Sequence, residues 1–252
     1  MPRRDEFEGE RILFSDLSAS ARHINGLVRL DRTVDSIANF GCGEGLETFA
    51  LGQAFGARHA VGIDIDAGTL LKTTQTIDRF RSAAVVIANE AGDNPKYQQW
   101  WLELIPSFVK GLVLDQIPEH MAHGLPQTTV RFIQADITRP LNLKPDHFDL
   151  VYCDYVLYHV FCDHGASPTL RAVREMARVG ATGGHVVAVE PPVCSPERPD
   201  PLDFTQFFED AGLRPADLPP PVTDPEDPAR VYRYAKPPKA KPYGAHQSPF
   251  PD

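Results

Sequence analysis

Apolar positions in this chain follow two alternating rhythms. Compact apolar runs at 34–40 and 60–64 have the length and composition of buried strands, whereas 46–55 and about 68–84 carry their apolar residues at helical spacing. The strand rhythm returns at 130–136 and 147–154. Residues 177–187 then read as a helix end, a tight glycine turn and a further strand. Ahead of all of these, Ile24, Leu27, Val28 and Leu30 predict a helix over 21–30.

The rhythm breaks between 84 and 129, where a helix-to-strand loop would ordinarily take about two to six residues. An insertion over about 89–128 is therefore expected. Within it Trp101, Leu104, Ile105, Phe108 and Leu112 recur at helical spacing, and Pro106 and Pro118 interrupt the run, which predicts two or three short helices. Their apolar face fits either a lid over a substrate or an enlargement of the core. After Glu190 proline becomes frequent. Residues 203–211, with Phe204, Phe207 and Phe208, read as a helix and 230–235 as a late strand. Residues 214–229 show no strand signal. This divides the chain into an N-terminal helical arm over 1–32, a main domain over 33–235, and a proline-rich tail over 236–252 that reads as extended or disordered.

Composition narrows the function classes. A chain of 252 residues with 42% hydrophobic content can bury one sizeable α/β core. The net charge of −9 disfavours a broad phosphate-binding surface, so nucleic acid is not the expected partner. The charged start of the chain leads into no apolar signal core, and no stretch approaches a membrane span, which gives a cytoplasmic expectation. The 4 cysteines read as reduced thiols. His159, Cys162, Asp163 and His164 cluster in sequence, but their spacing matches no zinc pattern, so no metal is expected. Nothing in the sequence fixes an oligomeric state.

The strongest chemical signal is the run from Ile37 to Leu46, in which Gly41, Gly43 and Gly45 alternate between an apolar strand and a helix. Glycine permits positive φ and leaves no Cβ in the way, so such a turn can lie against a small molecule at a helix N-terminus. The next strand ends on Asp64, where a carboxylate can accept both hydroxyls of a ribose. A dinucleotide fingerprint requires glycine at Leu46, which disfavours a nicotinamide-dependent oxidoreductase, and no phosphate loop of the G-x-x-x-x-G-K-[ST] type is present.

Gly41-x-Gly43-x-Gly45 followed by Asp64 resembles the class I S-adenosylmethionine-dependent methyltransferases. Strand-like segments ending at Asp136 and Asp154, and the helix–turn–strand at 177–187, fall in that family's order, so the resemblance covers roughly 33–190. It implies a doubly wound, mostly parallel Rossmann-like sheet with helices on both faces, a helical insertion before strand three, and a late strand antiparallel to the fifth. With no sixth strand visible, the sheet is expected to be shorter than the family's usual seven. The implied cofactor is S-adenosyl-L-methionine. Its methionine end would lie over Gly41, Cys42, Gly43 and Gly45, its ribose at Asp64 beside Ile65, its adenine at Asp136 and Ile137, with Asp154 at the end of strand four.

The family most often has an acid two residues before the first glycine, and this chain has Asn39. Asn39 and Glu44 are the candidates that divide that acid's role at the cofactor, although an acid ahead of a helix also suits the helix dipole with no ligand. For acceptor chemistry the resemblance points to the segment after strand four, where His159 could take a proton and Tyr155 or Tyr158 could shape the pocket. The segment lacks the [D/N]-P-P-[Y/F/W] motif of enzymes that methylate the amino groups of nucleobases or glutamine, which favours a small-molecule acceptor methylated on O, N or C. A non-catalytic cofactor-binding protein of the same fold is the alternative.

Overall fold

The computed structural model describes residues 8–30, 34–91, 94–195, 198–222 and 229–238. In chain order the elements are α1 (Glu8–Val28), β1 (Ser36–Phe40), α2 (Leu46–Phe55), β2 (His59–Asp64), α3 (Ala67–Ala91), α4 (Pro95–Glu103), α5 (Ser107–Gly111), α6 (Glu119–Ala122), β3 (Thr129–Gln134) and β4 (Phe148–Asp154). There follow α7 (Val156–His164), α8 (Ala166–Val179), β5 (Gly180–Glu190), a small ribbon of β6 (Val193–Ser195) and β7 (Arg198–Pro201), then α9 (Thr205–Asp210), β8 (Arg214–Pro215) and β9 (Arg230–Ala235). The main sheet has the order β3-β2-β1-β4-β5-β9-β8. Its first five strands are parallel, and β9 runs antiparallel to both β5 and β8.

Strand pleating divides the core. Ile37, Leu150, Tyr152, Val187 and Val189 point to the layer that holds α1, α2 and α3. Their neighbours Ala38, Phe40, Val151, Cys153, Val186 and Ala188 point to the layer of α8 and α9. Both faces of the central strands are therefore covered, which explains why 34–40 and 147–154 read as apolar runs rather than as alternation.

Several expectations need correction. The sheet has seven strands: the sixth is the two-residue β8, whose Arg214 and Pro215 pair with Ala235 and Tyr234. A proline on an edge strand gives no apolar signal, so it was invisible in the pattern. The first helix starts at Glu8 instead of 21, and Phe14 and Leu17 extend its buried stripe toward the N-terminus. Helix α3 continues to Ala91, past the expected start of the insertion. The glycine turn before strand five is a bulge inside β5, with pairing to β4 shifting between Phe148 and Leu150. Lys236, assigned to the tail, is tied to the domain by its backbone N–H to Gly184 O at 3.1 Å and by its ammonium to Gly180 O at 2.9 Å. The tail beyond 238 lies outside the described residues.

The insertion forms α4, α5 and α6. Pro106 and Pro118 each sit at the N-cap of a short helix, so the prolines that interrupt the pattern start the next element. Trp101, Ile105, Phe108, Val109 and Val113 are buried in the same core layer as α2. Among the described residues no helix is long and apolar enough to cross a membrane.

Candidate functional site

The chain leaves β1 at Phe40 and turns through three glycines with positive φ before α2 begins. Gly41 N and Cys42 N both donate to Ile63 O, at 2.7 and 3.0 Å, and Gly45 N closes back on Cys42 O at 2.9 Å. Two of the glycines are needed for different reasons. At Gly41, with φ of 70°, a Cβ would run into the Val156 side chain, so the loop and the start of α7 can approach only without one. Gly43, with φ of 51°, has nothing within 4 Å of where a Cβ would stand, so its bare face opens on free space. No side chain caps α2 at Gly45.

Asp64 braces this loop. Its Oδ2 accepts from Gly43 N at 2.9 Å and its Oδ1 from Asp66 N at 2.9 Å. A carboxylate has about four lone-pair positions, so each oxygen retains capacity for one more donor. Ile65 beside it is 66% exposed, an apolar side chain standing at the mouth of a cavity. Across that cavity Asp136 forms its own turn, accepting from Thr138 N at 2.9 Å and Thr138 Oγ1 at 2.7 Å and pairing with Arg139 at 3.1 Å. The Thr138 hydrogen bond holds its carboxyl below the usual range.

Two cavities share these residues. One, of about 380 Å³, is lined by Asp64, Ile65, Asp136, Ile137, His159 and the two turns around them. The other, of about 700 Å³, lies between the glycine loop and α1, with Ala19, Ser20, His23 and Ile24 on its helical wall. Gly41, Asp154 and Tyr155 line both, so the cavities meet there. Tyr155 holds this junction with φ of 56°, left-handed backbone in a non-glycine residue, immediately before α7.

The sequence candidates are placed unequally. Asp64, Ile65, Asp136, Ile137 and Asp154 converge on the cavities with Gly41, Cys42 and Gly43. Cys42 is buried, and desolvation followed by Asp64 pushes its thiol up to about 12, so it is an inert wall. His159 faces the Asp64–Asp136 cavity, away from α1, and Tyr158 lines neither cavity. The Glu44 carboxylate turns outward to Lys72 at 3.0 Å, with both side chains mostly exposed. Among the described residues no group of three or more His, Cys, Asp or Glu side chains forms a metal-holding cluster.

Three groups escaped the sequence reading. His23 reaches the larger cavity from α1. Glu190, at the end of β5, accepts Leu157 N and Tyr158 N at 3.0 Å each and so caps α7 from a neighbouring strand. Burial pushes its carboxyl up to about 8 against the pull of those two hydrogen bonds. Glu47, in the first turn of α2, lines the larger cavity with Asp154 and takes a hydrogen bond from Asn39 Nδ2 at 3.0 Å. Desolvation, then Asp154, raises it to about 8. An acid beside a near-continuous apolar run, as in Glu47-Thr48-Phe49-Ala50-Leu51, was the available signal for Glu47.

Comparison with known proteins agrees with this arrangement. Residues 109–188 match the family model described as a methyltransferase domain. No curated protein matches the chain. Among solved structures, the complex between the Haloferax volcanii Trm112 methyltransferase activator and a methyltransferase aligns at 16% identity, covering 93% of this chain and 99% of that one, with a TM-score of 0.52. The N-methyltransferase NodS of Bradyrhizobium japonicum with S-adenosyl-L-homocysteine aligns at 15% identity, 93% and 90% coverage and a TM-score of 0.49. A TehB-like methyltransferase from Corynebacterium glutamicum gives 16%, 93% and 100%, and 0.48. The family match spans the stretch that holds β3, β4 and most of β5, and the seven-stranded sheet ending in an antiparallel strand has the Rossmann-like methyltransferase fold.

Proposed function

We propose that this enzyme transfers a methyl group from S-adenosylmethionine to oxygen, nitrogen or carbon of a small neutral or basic molecule held between α1 and the glycine loop. The observation that carries the reading is the meeting of two cavities at Gly41, Asp154 and Tyr155. The smaller suits an adenosine: Asp64 keeps acceptor capacity for ribose hydroxyls, Ile65 and Ile137 offer apolar surface to a ring, and Asp136 offers a carboxylate at its edge. The larger leaves room for a methionine chain along Gly41–Gly45 and for an acceptor against His23 and Ile24.

When bound, the cofactor supplies a methyl group on a positive sulfonium, so the chain's own work is alignment, exclusion of water and removal of any acceptor proton. Tyr155 at the junction is positioned to orient an acceptor, and His23 to take its proton. No lysine or arginine lines either cavity among the described residues, which argues against an anionic acceptor such as a nucleic-acid backbone.

Incubation with methyl-labelled S-adenosylmethionine and pooled small amines, phenols and alcohols tests the reading. Label in a product of low molecular mass is the expected result. Label appearing only in nucleic acid or protein would overturn the small-molecule acceptor.

A further inference from the structure

Asn39 is fully buried and carries no charge, and it packs against the first turn of α2. Its Nδ2 donates to Glu47 Oε2 at 3.0 Å and to Thr48 Oγ1 at 3.2 Å, while its Oδ1 has no partner among the described residues. Tyr152 is its register neighbour on β4, and the phenol oxygen there is likewise buried without a partner. Glu47 and Asp154 both line the cavity, and Asp154 is, after desolvation, what raises the Glu47 carboxyl. Two carboxylates are acceptors only, so a hydrogen bond between them requires a shared proton.

We propose that Glu47 and Asp154 act as one acid pair that holds a single proton in the free protein and gives it up when the cofactor's ammonium group arrives, which makes cofactor affinity proton-linked. The proposal rests on the reading of the larger cavity as the methionine end of the cofactor site. In this chain the pair, on α2 and β4, takes the place of the acid missing at position 39.

From β4 the pair faces Tyr152 and Cys153, from β5 Glu190, from the glycine loop Cys42, and from α1 His23, the one basic side chain lining this cavity among the described residues. Tyr152 and Cys153 are both held protonated, chiefly by desolvation. Glu47, raised to about 8 chiefly by desolvation and then by Asp154, keeps its proton at neutral pH, since losing it would leave a second negative charge beside Asp154. A ligand ammonium offsets it. The bound state then has a lower proton affinity than the free state, so affinity rises with pH up to about 8 and levels off above, by at most about tenfold per pH unit for one proton.

Isothermal titration with S-adenosylhomocysteine near neutral pH, in two buffers of different ionisation enthalpy, reads the proton directly. Release of roughly half to one proton per ligand is expected for the wild type. Glu47→Gln should reduce the release toward zero and flatten the pH dependence of affinity, and Asp154→Asn should do the same if the first variant fails to fold. Any proton from the ligand itself would persist in both variants and cancels in the comparison. Wild-type binding with no buffer-dependent heat, or equal release from wild type and Glu47→Gln, overturns the proposal alone. Failure of S-adenosylhomocysteine to bind at all overturns it together with the cofactor-site reading.

Discussion

Asp64 Oδ2 accepts the Gly43 amide hydrogen across 2.9 Å, tying the open tip of the glycine loop to the end of the adjacent strand. The same carboxylate is the proposed ribose acceptor, so loop geometry and cofactor affinity share one side chain. Asp64→Ala should weaken S-adenosylhomocysteine binding by roughly 1.5–3 kcal/mol, the range for lost hydrogen bonds to a charged group. Calorimetry on the folded variant checks this, and an unchanged affinity would remove Asp64 from the ribose site.

The two glycines of the loop separate stability from binding. Gly41→Ala combines a left-handed φ with a collision against Val156, and should lower stability by about 2 kcal/mol or more. Gly43→Ala meets no neighbour, so it should cost only about 1 kcal/mol for its φ while placing a methyl group in the space left for the cofactor. Chemical denaturation paired with S-adenosylhomocysteine titration should therefore rank Gly41→Ala as the less stable variant and Gly43→Ala as the one with the larger ratio of binding loss to stability loss. Equal stability losses would show that the Gly41–Val156 contact relaxes freely.

Glu190 and Glu47 give the fold a pH dependence of known sign. Both carboxyls rise from an ordinary 4.5 to about 8, principally through desolvation. An acid of this kind binds its proton more tightly when folded. Its stabilising contribution is complete below the unfolded pKa and is lost as pH climbs to the folded one, at no more than about 1.4 kcal/mol per pH unit per group. Melting temperature of the ligand-free protein should fall as pH rises from about 4.5 to about 8. Glu190→Gln, which still offers one acceptor to Leu157 N or Tyr158 N, should melt lower than wild type but with a shallower slope. An identical slope would mean that Glu190 titrates normally in the fold.

What could be read from the sequence follows from where the physical signal lay. The glycine loop and the strand-end acids were legible because backbone freedom at Gly41 and a carboxylate closing an apolar run leave local marks. Helix α2 was legible to the residue, since Gly45 and Gly56 bracket it with left-handed caps. Glu47 was overlooked because its partner Asp154 lies on another element, and an acid in a helix's first turn already has a local explanation in the dipole. Glu190 was hidden for the same reason: its two donors belong to a helix more than 30 residues away in sequence. Strand β8 has only two residues, one of them proline, and its pairing with β9 is a tertiary fact. Glu44 lines the larger cavity while its carboxylate pairs with the exposed Lys72, a partner on α3 that the local sequence does not reveal.

The last expectation concerns the insertion, where the sequence left lid and core open. Phe108 packs edge-on against Phe49 with ring centroids 6.0 Å apart, and it lies so close to Gly52 that a Cβ there would strike its ring. Its backbone is fixed at both ends, by Gln53 Oε1 on Phe108 N at 3.0 Å and by Thr128 Oγ1 on Phe108 O at 2.8 Å. None of the residues lining the two cavities belongs to the insertion. These contacts are those of a core element packed on α2. Phe108→Ala should then cost about 3–5 kcal/mol of stability, and S-adenosylhomocysteine affinity measured well below the melting temperature should stay close to wild type. Amide exchange over 101–113 should be slow and the same with or without ligand. Protection that rises across that stretch when S-adenosylhomocysteine binds would return the insertion to the role of a lid, because a segment already packed at full depth against Phe49 and Gly52 has no further protection to gain from a ligand it does not touch.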